Sequence, residues 1–398
     1  MSASILPDKA RPLAPQPWLI PSMYLLCISG SLIPEGIVRS ASVTLGLMYL
    51  ALRIPKYTLG EVPQDYLFPI QALQAILHWI DFYVIHSPDD FSRAKDGTSP
   101  PPPKTAWGKL KQAWDLNTTM RGIGWNWQVK NIPEAASEGT TNWQFAGKEF
   151  MKAGIFYFMF DFCSSTMKNS AYGSTPAPDL FSDTLARRTI FDWLPAISSY
   201  YSMNMQYSLF AALTVICGLY TPQDWPPLMG RLKDVSSVRD FWGRFWHQLL
   251  RRKLTLPYNF LTSFVPIKHG TFISRYLQLF LAFFASAAIH HVGALNLPNS
   301  TVQNNRYQLL FFLSQPVAIL FEDLVIYLGE QAGIKSSWKT KLLGKAWTMV
   351  WFSLILVPMS AFHYNAGFME KAVLPSIITL ALSIAGKVSR RGAAKSEL

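Results

Sequence analysis

One apolar run constrains this chain more than any other feature. Residues 276–297, YLQLFLAFFASAAIHHVGALNL, contain no Asp, Glu, Lys or Arg, and a run of about 20 such residues can cross a bilayer as one helix. Two adjacent histidines, His290 and His291, lie inside it. Ionisable side chains are costly in hydrocarbon and usually face a protein interior or a wet cavity. The run therefore predicts a membrane span that carries a functional site.

The composition of the whole chain also indicates a membrane protein. Of its 398 residues 50% are hydrophobic and only 15% are charged, and the mean hydropathy is +0.15, which is too apolar for a soluble protein of this length. The net charge of +12 comes from basic residues in loops between apolar runs, a topology signal rather than a nucleic-acid-binding surface. We expect the lipid bilayer as its environment and no nucleic acid as a partner.

Nine apolar runs predict an all-α polytopic membrane protein with about eight or nine transmembrane helices. We expect residues 1–398 to form one multispan domain, because neither long loop has the pattern of an independent domain. The first two runs are joined by a very short link, so one re-entrant hairpin is an alternative there. Residues 1–17 lack the features of a cleaved signal peptide, which makes the first span the expected insertion signal. The runs are residues 18–34, 36–52, 66–86, 150–165, 198–220, 276–297, 307–328, 342–364 and 372–386.

Basic residues in the loops predict the orientation of the spans, because Lys and Arg concentrate on the cytosolic side. Loops 87–149 and 221–275 hold most of these cations and should be cytosolic or interfacial. Loop 298–306 has one basic residue and should be lumenal, where Asn299 begins an N-glycosylation sequon and predicts a glycoprotein. The loop after the fourth run also carries cations and does not fit this scheme.

The segment 241–252, FWGRFWHQLLRR, predicts a basic amphipathic helix at the membrane interface. At 100° per residue its aromatic side chains, Trp242 and Trp246 among them, lie on one half of the helix, and Arg244 lies on the other. Such helices place aromatic rings in the acyl boundary and cations at the phosphate level. His247 falls at the border. It is either part of a plain anchor or a polar partner for the histidines of the next span.

The histidine pair at 290–291 follows four small residues, Ala285 to Ala288. Small side chains leave room near the imidazole for a neighbouring helix or for a substrate. Consecutive helical residues point about 100° apart, so only one histidine can face a given cavity. His290 shares a face with Ser286. The functional interpretation is a general base for an alcohol, and the alternative is a histidine with a purely structural role.

The segment 121–133, RGIGWNWQVKNIP, resembles a dinucleotide-binding fingerprint only superficially, because no strand precedes its glycines. It combines a flexible turn with Trp125 and Trp127, which favour membrane interfaces, and with the cation of Arg121. Two interpretations remain open. The segment is either a cytosolic lip that contacts a polyanionic carrier such as coenzyme A, or a loop on the membrane surface.

Other catalytic motifs are missing from the sequence. It contains no nucleophile elbow, P-loop or metal-ligand cluster, which argues against common hydrolases and NTPases and predicts no metal site. The cysteines lie far apart in apolar stretches and are expected to pack as small hydrophobic residues. Asp161, Glu322 and Asp323 lie inside predicted spans, where they line a chamber or pair across helices.

The motifs described above resemble the membrane-bound O-acyltransferase family, in its wax-synthase-like branch, and more narrowly the fungal members that acetylate hydroxyls of meroterpenoids and related terpenoids. The resemblance rests on RGIGWNW at 121–127, DFWGRFWHQ at 240–248, the histidine pair and the multispan layout. It implies that His290 is the catalytic histidine and that His247 is a second polar site residue. The chain departs from the family where many relatives have Asn instead of His247 and Glu instead of His291.

The resemblance implies acyl transfer from acyl-CoA to an alcohol in a buried reaction chamber. His290 would deprotonate the hydroxyl, and His247 would orient the thioester or stabilise the oxyanion. No bound cofactor is expected, acetyl-CoA being a co-substrate, and the acceptor would be a small hydrophobic alcohol. The candidate substrate-binding residues are Trp242, Arg244, Trp246, Ser286, His291, Arg121, Trp125 and Trp127.

Three functional hypotheses follow from these features. The leading one is a multi-pass O-acetyltransferase of the endoplasmic reticulum that uses acetyl-CoA on a terpenoid alcohol. The second has the same chemistry but a long-chain donor, as in a wax-ester or sterol-ester synthase. The third is a proton-coupled secondary transporter, which would call for inverted repeats that the sequence does not display.

Overall fold

The computed structural model describes residues 11–13, 18–93, 101–371 and 374–378. Within these ranges the regular structure is helical and no β-sheet forms, which confirms the predicted all-α class. Most of the predicted run 372–386 lies outside the described residues, as does most of the segment 1–17. The helices are α1 (Leu19–Gly30), α2 (Ile37–Arg53), α3 (Val62–Trp79), α4 (Ala106–Thr118), α5 (Asn142–Lys168), α6 (Leu185–Ile216), α7 (Val238–Asp240), α8 (Arg251–Phe264), α9 (Phe272–Leu295), α10 (Val302–Gln331) and α11 (Trp338–Ala366).

Each of the first eight predicted apolar runs coincides with one of these helices. In the described part of the chain, four helical segments have the length and composition to cross a membrane: Ile37–Lys56, Phe272–Leu295, Val302–Gln331 and Trp338–Ala366. Their exposed apolar side chains suit contact with lipid rather than water. A total of eight or nine spans goes beyond these four and stays a prediction.

The contacts divide the chain into two compact units. One comprises Met1–Ala135 and Asp224–Trp351, and the other comprises Ala136–Gln223 and Phe352–Leu398. In the second unit α5 packs along α6, and Asp161 accepts hydrogen bonds from Ser165 Oγ at 3.1 Å and from the backbone N–H of Ile378 at 3.0 Å. Asp161 therefore has local partners within this unit.

The apolar core of the first unit lies among α1, α2, α3 and α4. Its side chains come from one face of each helix, because apolar residues recur there at three- and four-residue spacing. Trp79 and Tyr83 stack at 4.5 Å between ring centroids. After Trp79 the helix widens into a π-turn over Ile80–Ile85, which directs Asp81 inward. Fully buried members of this core are Met23, Cys27, Leu47, Trp79 and Leu116.

A buried ion pair joins this core to α8. Asp81, which is 0% exposed, accepts from Arg252 Nε at 2.6 Å and from Arg252 Nη2 at 2.9 Å. The guanidinium also lies over the rings of Phe82, Phe91 and Trp127, at 4.6, 4.9 and 5.2 Å from their centroids. Bidentate and cation–π contacts of this kind fix a side chain in one geometry. The start of α8 is thereby attached to α3.

A close approach between α3 and α9 positions the site. A Cβ atom at Gly293 would lie 2.7 Å from the backbone oxygen of Tyr66, so only glycine fits at this crossing. At the same end, Arg11 donates to Asp65 Oδ2 at 3.0 Å and to Asn296 Oδ1 at 2.9 Å, and Asn296 Nδ2 donates to the Asp65 backbone oxygen at 2.8 Å. This network holds the two helices in register.

The prediction of one continuous helix over 241–252 is wrong. The helical turns end at Phe245, Trp246 is extended, and α8 begins only at Arg251. Gln248 explains the break, because its Nε2 donates to the backbone oxygens of Trp242 at 3.0 Å and Trp246 at 2.6 Å. Gly230 also donates its N–H to the Phe245 oxygen at 2.8 Å. The Gln248 side chain and the Gly230 N–H thus donate the hydrogen bonds that a continuous helix would donate from its own backbone.

The pair of Asp81 and Arg252 gives a prediction about stability. Asp81→Asn should destabilise the protein by about 3 kcal/mol, because removing one charge of a buried pair leaves the other uncompensated. Thermal unfolding in detergent measures this change. The double variant Asp81→Asn/Arg252→Met should recover part of the loss, since it removes both charges. An Asp81→Asn midpoint equal to that of the wild type would contradict the structural role.

Candidate active site

His290 lies on the face of α9 that packs into the protein. Ser286 and Ala287 on this face are buried, and His290 itself is half-buried. Its ring stacks on Phe312 of α10, with centroids 4.5 Å apart and planes inclined by 16°. Small residues one turn earlier make room for this ring, as the spacing of the run predicts. His290 is therefore held between α9 and α10 rather than pointing into lipid.

Two further polar side chains reach His290. Its Nδ1 is 2.8 Å from the hydroxyl oxygen of Tyr66 on α3, and that oxygen accepts a hydrogen bond from Gln308 Nε2 on α10 at 2.6 Å. Tyr66 is 6% exposed and Gln308 is 0% exposed. The three residues form a line of hydrogen-bonding groups across three helices.

His247 lies in the non-helical segment that follows α7 and its π-turn. Its ring is next to Trp246, at 5.4 Å between centroids, and its buried Nδ1 has no hydrogen-bond partner in the described part of the chain. Burial, followed by the electrostatic effects of His290 and Arg121, lowers the pKa of His247 to about 3. The structure thus brings His247, His290 and Arg121 within electrostatic reach of one another, with a neutral imidazole at 247.

Acidic residues of α10 anchor the segment that carries His247. Glu322 accepts from the backbone N–H groups of Val238 at 2.6 Å and Arg239 at 3.2 Å, which are the first two residues of α7. A carboxylate at a helix N-terminus satisfies its free donors. Asp323 pairs with Arg239 and accepts from the Tyr276 hydroxyl at 2.5 Å. Glu322 and Asp323 therefore both bind groups on neighbouring structural elements.

Trp242 packs between α9 and α10. Its ring lies 5.7 Å from Phe283 and 6.1 Å from Phe311, and its Nε1 donates to Gln315 Oε1 at 3.0 Å. Gln315 is fully buried and receives a second donor from Trp351 at 3.2 Å. Trp242 is thus fixed next to the helix that carries His290. Trp246 stacks on Phe241, with centroids 5.7 Å apart.

The segment 121–127 is partly buried, with Arg121, Gly122 and Trp125 inside and Gly124 and Asn126 exposed. Arg121 is 4% exposed and donates to the backbone oxygens of Pro226 and Pro227, both at 2.8 Å. Trp125 belongs to the apolar core. Gly122 has a φ of +62°, and a Cβ there would lie 2.7 Å from the ring of Trp127. The motif therefore packs one side of the site.

The other predicted binding residues differ in exposure. Arg244 points outward and pairs with Asp240, at 3.3 Å between Nη1 and Oδ1. His291 is half-buried, and its Nδ1 has no hydrogen-bond partner among the described residues. Ser286 is buried on the same face as His290. Of these three residues, Ser286 is therefore the one that lies next to His290 on the inward face of α9.

Sequence reasoning missed Tyr66, Gln308 and Gln315. A signal for two of them exists, because Gln308, Gln315 and Glu322 lie seven residues apart within one apolar run. This spacing places three polar side chains on one face of a helix. Inside hydrocarbon such a face points to a protein interior. Tyr66 has no comparable signal, since a tyrosine at the start of a span is common at membrane interfaces.

The part of the chain that carries both histidines matches a known protein family. Residues 225–314 match the family described as "Membrane bound O-acyl transferase family", and this segment contains both His247 and His290. The chain is similar to Acetyltransferase ple2 of Rhodocybe pseudopiperita, with 33% identity over 250 residues, covering 61% of this chain and 64% of that protein. The match thus spans less than two thirds of the relative's length.

Two other relatives are also named acetyltransferases. Acetyltransferase sirH of Leptosphaeria maculans is 29% identical over 290 residues, covering 68% of this chain and 71% of that protein. Acetyltransferase eriL of Hericium erinaceus is 25% identical over 278 residues, covering 69% and 72%. No solved structure matches the chain.

Proposed function

We propose that this chain, whose residues 225–314 match the membrane-bound O-acyltransferase family, transfers an acetyl group from acetyl-CoA to a hydroxyl of a terpenoid or meroterpenoid. His290 is the general base in this proposal. The observation that carries it is that His290 and His247 interact electrostatically and both lie inside the segment 225–314 that matches the family. We propose a multi-pass location in the endoplasmic reticulum membrane, with Asn299 on the lumenal side.

The reaction requires a base, an oxyanion donor and exclusion of water. His290 takes the proton of the acceptor hydroxyl, whose oxygen attacks the thioester carbonyl carbon. The C–S bond then breaks, and the imidazolium returns the proton to the leaving thiolate. Both substrates meet at one site, so positioning supplies much of the rate and no acyl-enzyme is needed.

His247 suits the role of oxyanion donor. A pKa of about 3 keeps its imidazole neutral near pH 7, and a neutral imidazole donates one N–H without competing for the proton that His290 takes. A donor held by a rigid segment is already oriented when charge develops on the carbonyl oxygen. Trp242 of this segment packs on Phe283, and Trp246 lies next to His247, so aromatic rings border the donor.

The names of the three relatives support acetyl as the transferred group. Each of ple2, sirH and eriL is called an acetyltransferase. The terpenoid acceptor rests on the sequence resemblance, above all on RGIGWNW at 121–127. A wax-ester or sterol-ester synthase would use the same two histidines with a longer donor, so the donor has to be tested directly.

Removal of the His290 imidazole tests the proposed base. His290→Ala should lower acetyl transfer about 10²- to 10⁴-fold, which is the usual contribution of a general base. Transfer of a labelled acetyl group from acetyl-CoA in microsomes, at matched protein level, measures this loss. His363→Ala is the control, because it removes a half-buried imidazole from another apolar helix, α11. Full activity of His290→Ala would end the assignment of the base.

The second prediction concerns the donor. With acetyl-CoA and palmitoyl-CoA offered together at equal concentration, mass spectrometry of the products should find a gain of one acetyl group. A panel of terpenoid alcohols and one straight-chain alcohol serves as acceptors. Palmitoyl esters as the main product would replace the acetyl proposal with that of a long-chain ester synthase.

The third prediction concerns His247 and pH. As pH falls, His247 gains its proton only near pH 3, so its titration should not contribute to activity between about pH 5 and 8. His247→Asn keeps an N–H donor and should leave the acid limb of the kcat/KM profile in place. His247→Ala should cost about 10²- to 10³-fold. Movement of the acid limb in His247→Asn would identify His247 as a proton carrier instead.

A further inference from the structure

We propose that Tyr66 and Gln308 are positioning residues that hold the His290 imidazole with its proton on Nδ1 and its lone pair on Nε2. This inference rests on the proposed function, in which His290 is the base. It adds two residues from outside the histidine motifs, one on α3 and one on α10.

The geometry of the contact is specific. The Tyr66 hydroxyl oxygen lies 2.8 Å from His290 Nδ1 and accepts from Gln308 Nε2 at 2.6 Å. A hydroxyl oxygen has two acceptor lone pairs. One of them takes the amide hydrogen of Gln308, and the other is directed at Nδ1. The hydroxyl oxygen can therefore accept a hydrogen from Nδ1, and because the proposed base needs its lone pair on Nε2, we assign that hydrogen to Nδ1.

The assigned direction of this hydrogen bond decides which nitrogen acts as the base in our proposal. A neutral imidazole carries one hydrogen, and the nitrogen that lacks it holds the lone pair. The hydrogen bond made by one nitrogen sets the chemistry of the other. A hydrogen held on Nδ1 by Tyr66 places the lone pair on Nε2. When Nε2 takes the proton of the alcohol, both nitrogens carry hydrogen, and Tyr66 still provides an acceptor for Nδ1.

The packing around the contact restricts the orientation of the imidazole. The ring of His290 is stacked on Phe312 at 4.5 Å, which restricts its rotation. Gly293, one turn later on α9, lets α3 approach closely enough for Tyr66 to reach the ring. Gln308 is 0% exposed, so water does not compete for the tyrosine oxygen. Packing thus fixes the side chains of His290, Tyr66 and Gln308.

The test is Tyr66→Phe, which removes only the hydroxyl. We expect kcat to fall at least about tenfold, a part of the 10²- to 10⁴-fold that a general base supplies, with the KM for acetyl-CoA within about twofold of the wild type. Tyr258→Phe is the matched control. Its hydroxyl bonds Ser274 on the same helix α9 at 2.7 Å and is equally buried, but it lies far from the imidazole.

The control separates positioning from simple packing. Tyr258→Phe should keep the kcat of the wild type, because it removes a buried hydrogen bond from α9 without touching His290. An equal fall of kcat in both variants, or no fall in Tyr66→Phe, would overturn the inference. If His290→Ala abolishes transfer while Tyr66→Phe is unaffected, the inference alone fails. If His290→Ala is fully active, the proposed function itself fails.

Gln308 is tested through the same tyrosine. Gln308→Leu should lower kcat, because it leaves the Tyr66 hydroxyl without its fixed donor. The double variant Tyr66→Phe/Gln308→Leu should then have a kcat no lower than that of Tyr66→Phe, since the two residues act as one unit. A further tenfold loss in the double variant would show that Gln308 acts by another route and would overturn its part in the line.

Discussion

The close approach of α3 to α9 is the constraint on which the candidate site depends. At Gly293 there is no room for a side chain, since a Cβ would lie 2.7 Å from the Tyr66 backbone oxygen. The ion pair of Arg11 and Asp65, together with Asn296, fixes this crossing at the ends of both helices. Tyr66 then reaches His290, and α10 closes the other side with Gln308 and Phe312. A crossing wider by the size of one methyl group would break this line of contacts.

The polar groups of the first unit are expensive in an apolar surrounding, and many of them have a partner that explains their place. Asp81 binds Arg252 through two hydrogen bonds, and Glu322 satisfies the free N–H groups at the start of α7. His247 Nδ1 is one of several buried polar atoms that have no hydrogen-bond partner among the described residues. Buried polar atoms without a partner cost free energy. A substrate atom that pairs with His247 would recover that cost, which fits a binding role.

The sequence predicts part of this arrangement and not the rest. The helices were predictable because long apolar runs leave few alternatives to helix in a membrane, and His290 stood out as an imidazole in hydrocarbon. The break after Phe245 was not, because it depends on the Gln248 side chain replacing helical donors. The contact of Tyr66 with Gln308 joins residues 242 positions apart, and no local pattern reports such a pairing. The burial of Trp125 likewise depends on helices that precede it in the chain.

The most direct test of the central claim is a cryo-EM structure of the full chain in lipid with an acetyl-CoA analogue whose sulphur linkage cannot be cleaved. The claim is that acetyl transfer occurs between His290 and His247. We expect the carbonyl oxygen of the analogue within about 3.5 Å of the His247 imidazole, and the carbonyl carbon facing His290 with room for one hydroxyl oxygen between them. An analogue whose carbonyl binds away from both imidazoles would contradict the account.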